Sequence, residues 1–128
     1  MTDMVFDAGA LIGIERSKTR MIALLAGMNE GGDRAFVPAA VLAQAWRGGA
    51  GQARLAKFLK DKRVTVEPLT EHLAQACGVL CGQSGTDDVV DASVVTLARK
   101  LGLPIVTGDE HDLAALNAID PTVTIYRI

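Results

Sequence analysis

The apolar residues of this chain follow two alternating rhythms. Short, β-branched runs read as strands: Met4-Val5-Phe6, Ala35-Phe36-Val37, Val64-Thr65-Val66, Pro104-Ile105-Val106-Thr107 and Thr122-Val123-Thr124-Ile125-Tyr126. Between them, apolar residues recur at helical spacing. Residues 8–15 predict a short helix, and residues 18–29 a second with Met21, Ile22, Leu24, Leu25 and Met28 inward. Further helices are predicted over 39–47 (Val41, Leu42, Trp46), 51–60 (Leu55, Phe58, Leu59), 70–81 (Leu73, Cys77, Leu80, Cys81) and 88–101 (Val90, Val94, Leu97, Leu101). Gly31-Gly32 and Gly48-Gly49 end helices, Gly82 and Gly85 bracket a turn, and Gly102 stops a helix before Pro104. Strands alternating with helices predict an α/β fold whose central parallel sheet is covered on both faces. No repeat, low-complexity tract or linker interrupts the pattern, so residues 1–128 read as a single domain.

Composition supports a packed core. Of 128 residues, 49% are hydrophobic and 22% charged, which excludes a disordered chain. Aromatics make up only 4%, leaving the core to aliphatic side chains and few rings for base stacking. Asp3 and Asp7 stand where a secretory leader would be basic, and no apolar stretch approaches the ~20 residues that span a bilayer. The expectation is a soluble, cytoplasmic protein with no membrane partner. Cys77 and Cys81 are four apart, without CxxC or His/Cys metal spacing, and read as buried reduced thiols.

Charge is unevenly spread. Residues 1–63 hold ten Lys/Arg against six Asp/Glu, a net +4, and residues 64–128 hold three against nine, a net −6. The densest basic run is Arg47, Arg54, Lys57, Lys60, Lys62 and Arg63. Arg54, Lys57 and Lys60 fall along one helix and form a stripe suited to phosphates, or an ordinary solvated face. Arg16, Lys18 and Arg20 form a smaller cluster near Asp7, able to meet substrate or a partner protein.

The acids carry the candidate chemistry. They lie in Val5-Phe6-Asp7, Asp87-Asp88-Val89-Val90-Asp91 and Thr107-Gly108-Asp109-Glu110-His111-Asp112. Each aspartate follows a strand or opens a helix, and in an open parallel sheet such positions meet at the strands' carboxyl ends. Each has an ordinary alternative. Asp7 and Asp109 suit N-caps, Thr86 or Asp87 could cap the helix after them, and acids favour a helix's first turn. Asp91 fits that alternative least: it sits among Val89, Val90, Ala92, Val94 and Val95, with no basic residue within four positions. A carboxylate on an apolar helix edge is costly unless paired or metal-bound. Together the acids suit a divalent Mg2+ or Mn2+, which takes oxygen ligands and keeps waters. Such a metal activates and orients water and offsets charge on a phosphate. His72 reads as a solvent-facing helix residue, and His111 as a possible neighbour of the acidic edge.

Four segments appear in a familiar order: Val5-Phe6-Asp7-Ala8-Gly9-Ala10-Leu11-Ile12, Val37-Pro38-Ala39-Ala40-Val41-Leu42-Ala43-Gln44, Asp91-Ala92-Ser93-Val94-Val95-Thr96-Leu97-Ala98 and Pro104-Ile105-Val106-Thr107-Gly108-Asp109. The chain resembles the PIN-domain ribonucleases and, in size and layout, the VapC-like toxins of type II toxin–antitoxin pairs. The resemblance implies a three-layer α/β/α sandwich and a Mg2+- or Mn2+-dependent endoribonuclease. It implies an RNA substrate, silencing by a cognate antitoxin and homodimerisation, through the Met21, Ile22 and Leu25 region or the Trp46 region. It puts the family's first, third and fourth acids on Asp7, Asp91 and Asp109, as catalytic residues and metal ligands, with Asp88 and Asp112 as secondary acids. RNA contacts fall to Arg47, Arg54 and Lys57. One position departs from the family: Gln44 stands where a glutamate is usual. An amide can ligate but brings no charge and cannot act as a base. The alternative is therefore a catalytically weak or silent PIN-like module that binds RNA or protein. Other α/β enzymes fit poorly: Gly9 stands where a haloacid-dehalogenase-like phosphatase needs its second aspartate, and no receiver-type acid pair, Walker lysine or GxGxxG occurs.

Overall fold

A computed structural model describes residues 2–128. Five strands form one sheet: β1 (Met4–Phe6), β2 (Ala35–Pro38), β3 (Val64–Glu67), β4 (Ile105–Thr107) and β5 (Ile125–Arg127). Their order is β3-β2-β1-β4-β5, and every neighbouring pair is parallel. Parallel neighbours need crossovers, supplied here by α1 (Ala8–Glu15), α2 (Thr19–Gly31), α3 (Ala39–Ala45), α4 (Ala53–Leu59), α5 (Glu71–Ser84), α6 (Val89–Leu101) and α7 (Glu110–Ile119). The result is the expected three-layer sandwich. α6 lies across β1, β2 and β4 with α5 and α7 packed along it, while α1 and α4 pack together on the other face. The Phe6 ring stacks on Phe58 of α4 at a centroid distance of 5.5 Å.

The core is aliphatic, as composition demands. Val5, Leu11, Met21, Val41, Leu55, Val94, Ile105 and Leu116 are fully buried. Met21 is therefore not part of an exposed apolar region, whereas Ile22 is 54% exposed and Trp46 40%. Both cysteines are free; Cys77 is buried against Thr96 and Cys81 half-buried. Among the described residues no helix is long and apolar enough to cross a membrane.

Several boundaries differ from expectation. α5 continues through Gly82 and stops at Gly85, whose φ of 71° only glycine adopts freely. α3 ends at Ala45 because Trp46 is already extended, and a 3-10 turn over Ala50–Gln52 precedes α4. The last strand starts at Ile125 rather than Thr122, because Asp120 accepts from the Thr122 N–H (2.8 Å) and hydroxyl (2.6 Å) and holds that segment as a turn.

One helix end breaks a local rule. α2 and α6 finish with left-handed Gly32 and Gly102, and the following amides (Asp33, Leu103) reach back to the Met28 and Ala98 carbonyls. α1 finishes the same way. Ser17 N–H bonds Ile14 O (3.1 Å) and Lys18 N–H bonds Gly13 O (2.9 Å), but Ser17 occupies the left-handed position with φ 52°. A Cβ is disfavoured there. Ser17→Gly should stabilise the protein by about 0.5–1 kcal/mol, read from the urea midpoint; a lower midpoint would show that the serine hydroxyl compensates for its backbone.

Candidate active site

The strand order reverses at β1. The chain passes from β1 outward to β2 and β3, then returns to place β4 on β1's other side. At such a switch point the loops leaving the two central strands diverge and open a crevice at the carboxyl ends. Asp7 leaves β1 there, and Gly108-Asp109 leaves β4. The two loops meet backbone to backbone. A Cβ on Gly108 would overlap the Gly9 carbonyl and lie 2.8 Å from Gly9 Cα, and one on Gly9 would collide with Asp112 Oδ2. Glycine at both positions lets α1 and the β4–α7 turn approach this closely.

Three helices begin at this edge on aspartate caps. Asp7 Oδ1 accepts from Ala10 N–H (2.8 Å), Asp88 from Asp91 N–H (3.0 Å) and Asp109 from Asp112 N–H (2.8 Å). Asp88, not Thr86 or Asp87, caps α6; the Thr86 hydroxyl instead accepts from Asp88 N–H at 3.1 Å. The capping reading is thus correct for three of the acids, yet each cap uses one oxygen. Asp7 is only 2% exposed, and its second oxygen has no hydrogen-bond partner. Neither has the hydroxyl of fully buried Thr107.

The carboxylates act on one another. Burial pushes Asp7 up to about 6, helped by Asp112 and Asp109; the Thr107 hydroxyl, close to the carboxylate but outside hydrogen-bond geometry, and the Ala10 amide pull the other way. Asp91 is pushed up to about 7, first by burial, then by Asp88, Asp112 and Asp7. Burial and Asp109 raise Asp112, while exposed His111 lowers it. Asp112 thus acts on both Asp7 and Asp91, and Asp88 on both Asp91 and Asp112. Asp109 is exposed and joins them through Asp7 and Asp112.

The remaining candidates are spread out. Gln44 is exposed on α3, which follows β2 at the same edge and packs on α1 and α6. Arg47 is exposed but engaged: its guanidinium donates to Trp46 O at 2.7 Å, and its N–H donates to the buried Gln52 side chain. Arg54 and Lys57 border a groove between α2 and α4 of roughly 460 Å³, floored by Met21, Leu25 and Phe58. None of these cations pairs with the acids. Sequence reasoning overlooked Thr107 and Gly108. A threonine closing an apolar strand looks like any strand residue, and a glycine between strand and helix looks like a plain turn; only the fold sets them against Asp7 and Gly9.

Among the described residues no three His, Cys, Asp or Glu side chains already stand as a metal-binding set. The donors nevertheless suit one kind of ion. An unpartnered buried carboxylate oxygen among mutually repelling carboxylates, none of them in an ion pair among the described residues, matches a hard, partly hydrated divalent ion held by few protein oxygens. Asp7 Oδ2 is such an oxygen.

The model of the PIN domain matches residues 4–118, and the chain belongs to that family. No curated protein matches it. Among solved structures it resembles VapBC2 from Rickettsia felis bound to a DNA fragment from their promoter (13% identity, TM-score 0.69, covering 100% of this chain and 99% of that one). It also resembles FitAB bound to the IR36 DNA fragment (14%, 0.63, 99% and 94%) and FitAcB from Neisseria gonorrhoeae (16%, 0.60, 98% and 96%). At these identities the likeness establishes the fold.

The raised acids have a thermodynamic consequence. In the folded protein Asp7 binds its proton more tightly than in the unfolded chain, so its contribution to stability is present below pH 3.8 and is lost as pH rises to about 6. Without metal, Asp7→Asn should stabilise the protein at pH 8 by about 1–3 kcal/mol and flatten the loss between those pH values. Urea titrations across pH check this; an unchanged slope would mean that Asp7 ionises without penalty.

Proposed function

We propose that this protein is a metal-dependent endoribonuclease, the toxin of a toxin–antitoxin pair. The observation that carries the reading is the buried, unpartnered oxygen of Asp7 at the centre of a carboxylate group whose members raise one another's pKa. A set of acids held together at such cost stores affinity for a cation. Family membership and the VapC-like motif order support nuclease chemistry, and the likeness to VapBC2 and FitAB supports an antitoxin partner.

Asp7, Asp91 and Asp109 are the proposed metal ligands and catalytic residues, with Asp112 and Asp88 assisting and Gln44 at the rim. Bound Mg2+ or Mn2+ would supply charge neutralisation at the scissile phosphate and an activated water. Asp7 would hold the ion through the oxygen that its N-cap bond leaves free, and that bond fixes the carboxylate's orientation. Asp91, raised toward neutral pH, can hold a proton near the site and would give it up on ligating an ion. Asp112 lies against Gly9 and limits how far the acids can splay. Arg47, Arg54 and Lys57 contact the RNA backbone away from the acids. The antitoxin silences the enzyme, and two copies form the working dimer in the cytoplasm.

Asp91→Asn should lower metal-dependent RNA cleavage at least about 100-fold while the folded spectrum is kept. Cleavage within threefold of the parent would reject the assignment, and chelator-resistant cleavage would reject the metal.

A second reading has its own motive. Gln44 is neutral where the family carries an acid, and no ready metal set is present among the described residues. A weak or silent PIN module that binds RNA or protein follows from those two facts. Gln44→Glu separates the readings. Under the nuclease reading it tightens Mn2+ by about three- to tenfold in calorimetry and raises cleavage; a silent module stays inactive, and unchanged affinity shows that residue 44 is not a ligand.

A further inference from the structure

Lys18 lies far from the acids in sequence and looked, with Arg16 and Arg20, like a substrate-facing cation. Its ammonium is committed elsewhere. Nζ donates to the Gly108 carbonyl at 2.7 Å and to the Ile128 carbonyl at 3.2 Å, bonds spanning 90 and 110 residues. Gly108 is the residue that touches Gly9 and leads directly into the Asp109 cap. Ile128 is held in turn: its N–H donates to the Thr107 carbonyl at 3.1 Å, and its side chain would be 3.2 Å from a Cβ on Gly13.

The local backbone aims the lysine. Ser17 accepts a left-handed conformation so that Lys18 N–H can close on Gly13 O. The turn ending α1 then points the side chain back across the sheet's carboxyl edge. Both ends of one short helix therefore serve the same crevice: Asp7 caps its start, and the turn that follows its end carries Lys18, whose ammonium holds the opposing loop.

We propose that Lys18 is a positioning residue for the acidic site. Its charge-assisted bonds tie the Gly108–Asp109 turn to α1 and β5, fixing Asp109 and Asp112 relative to Asp7. Arginine offers donors on a similar stem and keeps the tie, whereas methionine keeps the packing and loses it. The inference rests on the metal-site reading for its effect on affinity, but the tie itself can be measured without metal.

The test compares the parent, K18M and K18R by Mn2+ calorimetry and by amide hydrogen exchange of the metal-free proteins. K18M should weaken Mn2+ about tenfold, while K18R stays within about threefold of the parent. Exchange at the Asp112 amide, bonded to Asp109, should accelerate about tenfold in K18M, while the Ala10 amide, bonded to Asp7, keeps its rate. Parent-like Mn2+ affinity and Asp112 exchange in K18M, or equal loss in K18R, would overturn the assignment, as would equal acceleration at Ala10 and Asp112. If the parent takes no Mn2+, the metal reading fails, and Asp112 exchange alone decides whether Lys18 holds the turn.

Discussion

Five carboxylates crowd one edge of this sheet, and the fold must hold them there against their own repulsion. The contact that does so is between two backbones. Gly9 and Gly108 close the gap between the loops leaving β1 and β4, with no side chain between them. Closing that gap buries Asp7 and sets Asp112 against Gly9. Hydrophobic burial in the layers beneath, where α6 and α1 clamp the sheet from opposite faces, supplies the opposing free energy.

The helix caps and the acidic site are one device. Asp7, Asp88 and Asp109 each satisfy an N-terminal amide, and the positive ends of three helices partly offset the charge they gather. A cap also fixes the rotamer of its carboxylate. The oxygen left over has a defined direction, which a solvated surface aspartate would lack. Choosing between cap and functional group for these residues is therefore a false choice, because the geometry of the first prepares the second.

The cations are organised separately. Lys18 and Arg47 spend their donors on backbone carbonyls, and Arg54 and Lys57 border the α2–α4 groove. Among the described residues no lysine or arginine forms an ion pair with these five aspartates, so the site keeps its negative potential. That separation turns the charge asymmetry of the two halves of the chain into a spatial one.

Much of this was legible in one dimension. β-Branched runs alternating with helical periodicity determined a parallel α/β sandwich, because both rhythms are local consequences of backbone geometry and burial. The aspartates following strands pointed to the carboxyl edge for the same reason. Local signals failed where the deciding contact lies far away in sequence. Gly82 looked like a stop but sits inside α5, and Thr122 looked like strand until Asp120 captured it. Lys18 looked free until β4 and β5 brought it two carbonyls. Residue types and local periodicity determined which elements form and which acids lie at their ends. Only the tertiary structure decided that Asp112 lies half-buried against Gly9 while Asp109 is exposed, that Thr107 and Gly108 belong to the site, and that Ser17 bends to aim a lysine, because each depends on loops from different crossovers meeting in space.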